Sequence, residues 1–449
     1  MCTLRSEAHH PNPVSPIAKD LITLSAPVER AILVGAPLKR SNARHLVNEH
    51  LRELERLADT AGAVVVGELT QNIDRPNPST YVGKGKLDEL KLLVALKEAT
   101  VLIFDDELSP AQGKNLELEL GTRVIDRAEL ILDIFAVRAR SAEAKMQVEL
   151  AQLEYSLPRL TNLWTHLEKF RGGIGVRGPG ETQLETDRRL VGLRIKLLKD
   201  RLLDVQRSRE VQRQSRKTTF RASLVGYTNA GKSSILKAMS GVSDIFVDDR
   251  LFATLDPLTR DVNVGDGQKV LLTDTVGFIR KLPHHLVASF RATLEEVGEA
   301  DLLLHVIDAS HPTWEEQRLV VDQVLADLKL HETPVVHVFN KVDALSAEEL
   351  SALKERMENL LPGSLFVSAL AKGGESVEPL RAMLLQAVRA QRPLVKLRLP
   401  AASGKLIAEI HRDGEVVTSA NDEESGDVLM SARVDSALLG RLERDGVVL

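Results

Sequence analysis

Residues 226–233 read GYTNAGKS, with the apolar run RASLV before them and the helical pattern SSILKAMSG after. The pattern G-x-x-x-x-G-K-[ST] between a strand and a helix leaves the chain little freedom. Its glycines let backbone N–H groups turn inward, the helix contributes the positive end of its dipole, and the product is a cradle for phosphate oxygens. Lys232 brings a point charge to the outer phosphates, and the hydroxyl of Ser233 is suited to Mg²⁺. Such an element belongs in a doubly wound, mostly parallel sheet, with its working loops at the carboxyl ends of the strands.

Further motifs follow in the order that this architecture requires. Asp274–Gly277 (DTVG) ends the strand pattern KVLLT, which brings Asp274 near a metal and offers the Gly277 N–H to the last phosphate. Asn340–Asp343 (NKVD) follows PVVHVF. The carboxylate of Asp343 can accept two hydrogens from guanine, whereas adenine has no such donor pair, so this residue sets the base. Ser368, Ala369 and Leu370 end another strand, where a backbone N–H suits the guanine oxygen. Between the phosphate loop and DTVG lies LFATLDP, residues 251–257, a switch segment that must bring a hydroxyl to the metal when the last phosphate is present. Thr254 is the candidate and Thr259 its competitor. Phe278 stands where Ras-like enzymes carry a water-orienting glutamine, so hydrolysis is expected to be slow without a partner. His284 and His285 lie nearby in sequence and read as exposed loop residues; no general base is assigned.

The rest of the 449 residues divides by pattern. Residues 1–28 are polar, with prolines at 11, 13 and 16, and read as a mobile tail and not a secretory signal. Residues 29–140 alternate short apolar runs (Ala31–Gly35, Ala63–Val66, Val101–Phe104, Val124–Ile125) with helical patterns (Asn42–Leu57, Lys86–Leu96, Pro110–Leu120), as a small parallel α/β domain does. Residues 141–217 carry two heptad-like seams, Met146 to Leu167 and Val191 to Val205, separated by RGGIGVRGPG at 171–180. This pattern predicts a long antiparallel helical hairpin with a glycine-rich loop, kinked at Pro158. Residues 218–392 form the doubly wound domain, and 393–449 a small α+β unit.

Arg188–Arg221 holds 12 Lys/Arg against three acids, a basic stripe in a chain of net charge −5. Such a stripe suits the phosphates of RNA. Only 15 aromatics are present, which argues against stacking of sugars or single-stranded bases as the main activity. A single cysteine, Cys2, excludes disulfide frameworks and Cys-based zinc sites. No apolar run approaches the ~18–20 residues of a spanning helix, and a cytoplasmic protein is expected. The G-x-G-x-x-G at Gly173, Gly175 and Gly178 follows no strand and is not a dinucleotide site. The turn Gly83-Lys84-Gly85-Lys86 is a weak candidate for a second phosphate.

GYTNAGKS, FATLDP, DTVGF and NKVD together resemble the translation-factor-like GTPases of the Obg–HflX group. GGIGVRGPGETQLETDRR at 172–189, YVGKGK at 81–86 and LPHHLVASFRATLEE at 282–296 make the chain similar to the HflX family of ribosome-associated GTPases over residues 30–390. The resemblance implies a Mg²⁺-dependent GTP hydrolase that binds the large ribosomal subunit and its rRNA through the basic hairpin and glycine-rich loop, and that dissociates or rescues stalled ribosomes. It maps nucleotide contacts onto Gly226, Tyr227, Thr228, Asn229, Ala230, Gly231, Lys232 and Ser233; onto Phe252, Ala253, Thr254, Leu255 and Asp256; onto Asp274, Thr275, Val276 and Gly277; onto Asn340, Lys341, Val342 and Asp343; and onto Ser368, Ala369 and Leu370. Ser233 and Thr254 are the implied metal ligands, and Lys232, Thr254 and Gly277 the catalytic set. Ser234 replaces the Thr that commonly follows the metal-binding Ser, a harmless variation. A monomer is expected. The competing readings are a non-ribosomal GTP-dependent interaction protein and an ATP-driven RNA remodeller.

Overall fold

The computed structural model describes residues 28–40, 45–162, 179–214, 219–242, 250–282, 297–330, 333–370, 377–400, 402–422, 425–434 and 436–448. The glycine-rich loop up to residue 178, His284 and His285 therefore lie outside the described residues.

The first unit is β1 (Arg30–Gly35), α1 (Val47–Ala61), β2 (Val64–Thr70), α2 (Lys84–Lys97), β3 (Val101–Phe104), α3 (Pro110–Leu120) and β4 (Arg123–Asp126). Its strands are all parallel, in the order β2-β1-β3-β4. The continuous apolar runs are what a sheet covered on both faces requires, and β3 is buried along its whole length. Helix α3 starts where its chemistry dictates: Ser109 and Gln112 form a reciprocal capping box around Pro110 at the first turn.

Helix α4 (Arg127–Arg138) follows β4 without a loop and has no counterpart in the sequence reading. Ala128, Leu130, Ile131, Leu132, Ile134 and Phe135 are all buried. With most of its positions buried, Arg127 included, the helix shows only a weak amphipathic period. Helix α5 (Ala142–Ser156) is capped by Ser141. The kinked helix expected through Pro158 is instead an α-helix that stops at Ser156 and continues as a 3₁₀ turn, Leu157–Asn162. In an α-helix, Pro158 would clash with the carbonyl of Glu154, and the tighter turn avoids this. Helix α6 (Pro179–Gln214) packs on α5 through Leu198, which is fully buried, and through the ion pairs Arg194–Glu149 (2.6 Å) and Lys199–Glu154 (2.8 Å).

The second unit is β5 (Arg221–Gly226), α7 (Lys232–Ser240), β6 (Leu258–Gly265), β7 (Gln268–Asp274), β8 (Leu302–Asp308), α8 (Trp314–Asp327), β9 (Val335–Asn340), α9 (Ala347–Leu360), β10 (Leu365–Phe366) and α10 (Glu378–Gln391). Its six strands run in the order β10-β9-β8-β5-β7-β6, parallel except for the β6/β7 hairpin. The carboxyl ends of β5, β7, β9 and β10 carry the phosphate loop, DTVG, NKVD and Ser368 respectively, so one edge of the sheet gathers all four motifs. The last unit is β11 (Leu394–Leu399), α11 (Gly404–Asp413), β12 (Glu415–Asn421), β13 (Val428–Arg433) and α12 (Ser436–Arg444), an antiparallel sheet β11-β13-β12 over a core of Leu397, Ile410, Met430 and Leu442.

One apolar core joins the first two units. It runs from Leu33 and Leu54 through Ile131 and Phe135 to Tyr227, Phe252, Leu255 and Phe278. Phe135 and Phe252 meet edge to face, with centroids 4.7 Å apart, a geometry worth ~0.5–1.5 kcal/mol beyond the area it buries. The switch segment is thus packed on α4. Among the described residues, no helix is long and apolar enough to cross a membrane.

Candidate phosphate and guanine site

The phosphate loop turns from β5 into α7 through Gly231, whose φ of +93° is left-handed. A Cβ there would stand 2.1 Å from Asn340 Nδ2, so only glycine fits. At Gly277 a Cβ would lie 2.6 Å from the Cα of Thr228 and 3.0 Å from Lys232 Nζ, so here glycine is required by close approach. Lys232 is buried and donates to the carbonyls of Gly226 (3.1 Å) and Tyr227 (2.9 Å). Burial lowers its pKa to about 8, against the pull of Asp274.

Ser233 Oγ donates to Asp274 Oδ2 at 2.6 Å and lies 2.9 Å from Thr254 Oγ1. Asp274 is fully buried, and its Oδ1 has no hydrogen-bond partner among the described residues. Burial pushes this carboxyl up, with Lys232 the main opposing influence. Two hydroxyls and an orphaned carboxylate oxygen make an all-oxygen donor set for a hard cation. Neighbouring oxygens on an octahedral ion with 2.0–2.1 Å bonds stand about 3 Å apart, matching the two hydroxyls; the residues fit Mg²⁺.

At the other end of the cleft, Asn340 Nδ2 donates to Ala230 O at 2.9 Å and Asn340 Oδ1 accepts from the Ala369 N–H at 3.2 Å. Ser368 Oγ donates to Asp343 Oδ1, fixing that carboxylate, while Lys341 Nζ reaches Asp308 Oδ2 at 2.6 Å. Thr228, Asn229, Gly231, Lys232, Ser233, Ala253, Thr254, Thr275, Gly277, Asn340, Lys341, Asp343, Ala369 and Leu370 line one continuous cleft, joined by Ser234 and Arg250, which the sequence reading did not include.

Thr254, the expected candidate, faces Ser233, and its competitor Thr259 bonds Thr273 across the β6/β7 hairpin at 2.9 Å. Several other expected contacts are built differently. Tyr227 turns its hydroxyl away from the cleft, onto Glu53 of α1. Leu255 is buried in the shared core, and Phe252 reaches the cleft mouth only while its ring packs on Phe135. Asp256 points away: its Oδ2 accepts from the N–H groups of Arg140 and Ser141 (both 3.1 Å), and its Oδ1 accepts from the Ser141 hydroxyl. Phe278 is buried, with its backbone bonded to Gly226 O (3.1 Å) and to Thr228 N (2.7 Å), so its ring cannot orient a water. At Gly83–Lys86, the Gly83 N–H bonds Gln71 (3.3 Å) and Lys86 pairs with Glu89 (2.7 Å).

Sequence reasoning missed a buried charge cluster beside the phosphate loop. Arg127, 2% exposed, donates to Asp105 Oδ1 (3.0 Å), to Glu53 and to the carbonyl of Arg280 (3.1 Å). Arg280 and Lys281, just after DTVGF, also bind Asp105 (3.0 and 2.9 Å), and the Arg280 N–H donates to the Tyr227 hydroxyl (2.9 Å). The available signal was Arg127 itself, a charge between a buried strand and a largely apolar helix.

A cradle of this kind on β5, a carboxylate-and-hydroxyl cation set and a fixed Asp343 across the cleft define a P-loop GTP hydrolase. Residues 221–341 match the family profile described as 50S ribosome-binding GTPase, 48–136 the GTP-binding GTPase N-terminal region and 138–216 the GTP-binding GTPase Middle Region. GTPase HflX of Magnetococcus marinus is 42% identical over 432 residues, covering 95% of this chain and 98% of its own. The protein of that name from Caldanaerobacter subterraneus subsp. tengcongensis is 53% identical over 319 residues (71% and 73%), and that of Escherichia coli K12 is 44% identical over 388 (86% and 90%). The chain belongs to the HflX family of GTPases.

Proposed function

We propose that GTP lies along the Gly226–Ser233 loop with its base on Asp343, that Ser233, Thr254 and Asp274 hold Mg²⁺, and that nucleotide state governs engagement of the large ribosomal subunit. The observation that carries the reading is Asp256. Two residues beyond Thr254, it accepts from the N–H and hydroxyl of Ser141, the residue that caps the first helix of the α5–α6 arm. The segment that would sense the last phosphate is therefore tied directly to the basic arm. Arg188, Arg189, Lys196 and Arg201 are exposed on α6, as phosphate contacts must be. The description of the matching profile over 221–341 supports the same partner.

In the reaction, water attacks the terminal phosphorus, the bond from that phosphorus to the bridging oxygen breaks, and GDP and phosphate leave. Lys232 neutralises charge on the phosphate oxygens, and the Gly277 N–H holds the terminal group. Mg²⁺, when bound, supplies further charge neutralisation at the phosphates. The described cleft contributes no side chain at position 278 to orient the water. Hydrolysis by the protein alone is therefore expected to be slow, rising at least about tenfold with purified large subunits; groups supplied by a partner are worth 10³–10⁵ in such reactions. Single-turnover assays check this, and equal rates with and without subunits sink it. Cosedimentation with large subunits is expected in a non-hydrolysable GTP analogue and not in GDP, and is expected to be lost on deletion of 171–180. Association indifferent to nucleotide overturns the ribosomal reading.

Asp343 offers a separate check. Two hydrogen bonds to a charged acceptor are worth about 1.5–3 kcal/mol each. Asp343→Ala is therefore expected to weaken GDP binding by about 10²–10⁴-fold and to leave adenine nucleotides unaffected. A calorimetric loss below tenfold counts against this assignment of the base site.

A further inference from the structure

We propose that His305, His337 and Asp322 form a binding site for a divalent d-block ion, with Zn²⁺ the best fit, separate from the nucleotide cleft. His305 on β8 and His337 on β9 are direct partners in the parallel register, so both imidazoles leave the same face of the sheet. Asp322 arrives from α8, which packs on that face. One ligand atom from each of the three lies within 4.8 Å of the others.

The decisive observation is the state of His305. It is 1% exposed, and its Nδ1 has no hydrogen-bond partner of ordinary length among the described residues. Asp322 Oδ1 is 3.4 Å away, beyond the ordinary 2.7–3.2 Å range of an N–H···O bond. Two ligands bound at 2.0–2.1 Å to one tetrahedral ion, however, stand about 3.3–3.4 Å apart. The 3.4 Å separation has room for a shared ion. Leaving a buried ring nitrogen unsatisfied is costly, and coordination removes that cost.

The surroundings agree. Burial lowers the pKa of both imidazoles, that of His337 to about 4, with Asp322 opposing at His305 and the neighbouring His305 adding to the effect at His337. At neutral pH both rings are uncharged and can donate lone pairs. Arg318 donates to Asp322 Oδ2 at 2.8 Å and so turns Oδ1 toward His305, an outer-shell support typical of metal carboxylates. Asp322 and His337 are partly exposed, which leaves an entry path and a fourth position for water. Two imidazoles and one carboxylate favour Zn²⁺ over Mg²⁺, in contrast with the all-oxygen set at Ser233. An ion here would pin α8 to the two strands whose ends carry Asp308 and Asn340.

The test uses the full chain, stripped with chelator and saturated with Mg²⁺–GDP so that the nucleotide site is filled. Zn²⁺ is titrated against a competing chromophoric chelator, and Co²⁺ is added as a spectroscopic substitute. The expected result is one tightly held equivalent of Zn²⁺, a Co²⁺ spectrum of tetrahedral intensity, and a rise in melting temperature with Zn²⁺. His337→Gln and Asp322→Asn, both at partly exposed positions, are each expected to weaken that equivalent by at least tenfold, since even outer-shell changes cost 10–100-fold. Unchanged GDP affinity shows that the variants are folded. Zn²⁺ binding that is equal in wild type and both variants, or a wild type that retains no Zn²⁺ at micromolar free metal, overturns the proposal.

Discussion

Lys232→Ala is expected to slow GTP hydrolysis by about 10²–10³-fold, because removing one preorganised donor to the reacting phosphate costs about 2.7–4 kcal/mol. The ammonium is already seated: it is buried and bound to two loop carbonyls, so no rearrangement is needed when phosphate arrives. Its lowered pKa of about 8 adds a second signature. Phosphate raises the pKa again, so above pH 8 the nucleotide must bind together with a proton. The affinity of the wild type for GTP should fall more steeply than that of the variant as pH rises from 8 to 9. Steady-state turnover at saturating GTP, and binding measured across that range, check both parts. Turnover within tenfold of wild type removes Lys232 from the reacting end of the cleft.

Arg127→Met is expected to be the most destabilising change outside the cleft. The guanidinium is almost fully buried and serves Asp105 and Glu53 at once. Removing one member of a buried ionic group typically costs about 3–5 kcal/mol, because the partners are left uncompensated. Asp105 shows the balance: burial would raise its pKa, but Arg127, Arg280 and Lys281 outweigh that and hold it at about 2. A carboxyl whose folded pKa lies below its unfolded value stabilises fully above about pH 4, and the stabilisation fades as pH falls toward 2. Wild type should therefore lose stability through that acid window, and the variant should show a shallower slope from a lower start. Melting temperatures from pH 7 to 2.5 read this directly. A variant melting within a degree or two of wild type would mean that the cluster contributes nothing net.

The working edge of the second sheet was legible because each of its motifs sits where a strand pattern ends, and the chemistry of phosphate and guanine demands particular residues there. The strand Val101–Phe104 and the helix Pro110–Leu120 were legible because apolar runs and helical periods are local. Helix α4 was not, since its burial comes from two units closing around it. Thr254 was preferred over Thr259 from spacing, and the β6/β7 pairing shows why: it commits Thr259 to Thr273. Asp256 read as a nucleotide contact because it stands in the switch motif; its partners, Arg140 and Ser141, lie more than a hundred residues earlier. The Arg127 cluster is non-local in the same way, its members meeting only through the fold.

The apolar core that joins the first two units sets a boundary on how the enzyme can be dissected. A fragment beginning near residue 218 would carry every cleft motif yet strip the cover from Tyr227, Phe252, Leu255 and Phe278. Those side chains sit in the phosphate loop, in the switch segment and just after DTVG. A truncated catalytic piece would thus be greasy where the native enzyme is dry, and its kinetics would describe the fragment and not the enzyme.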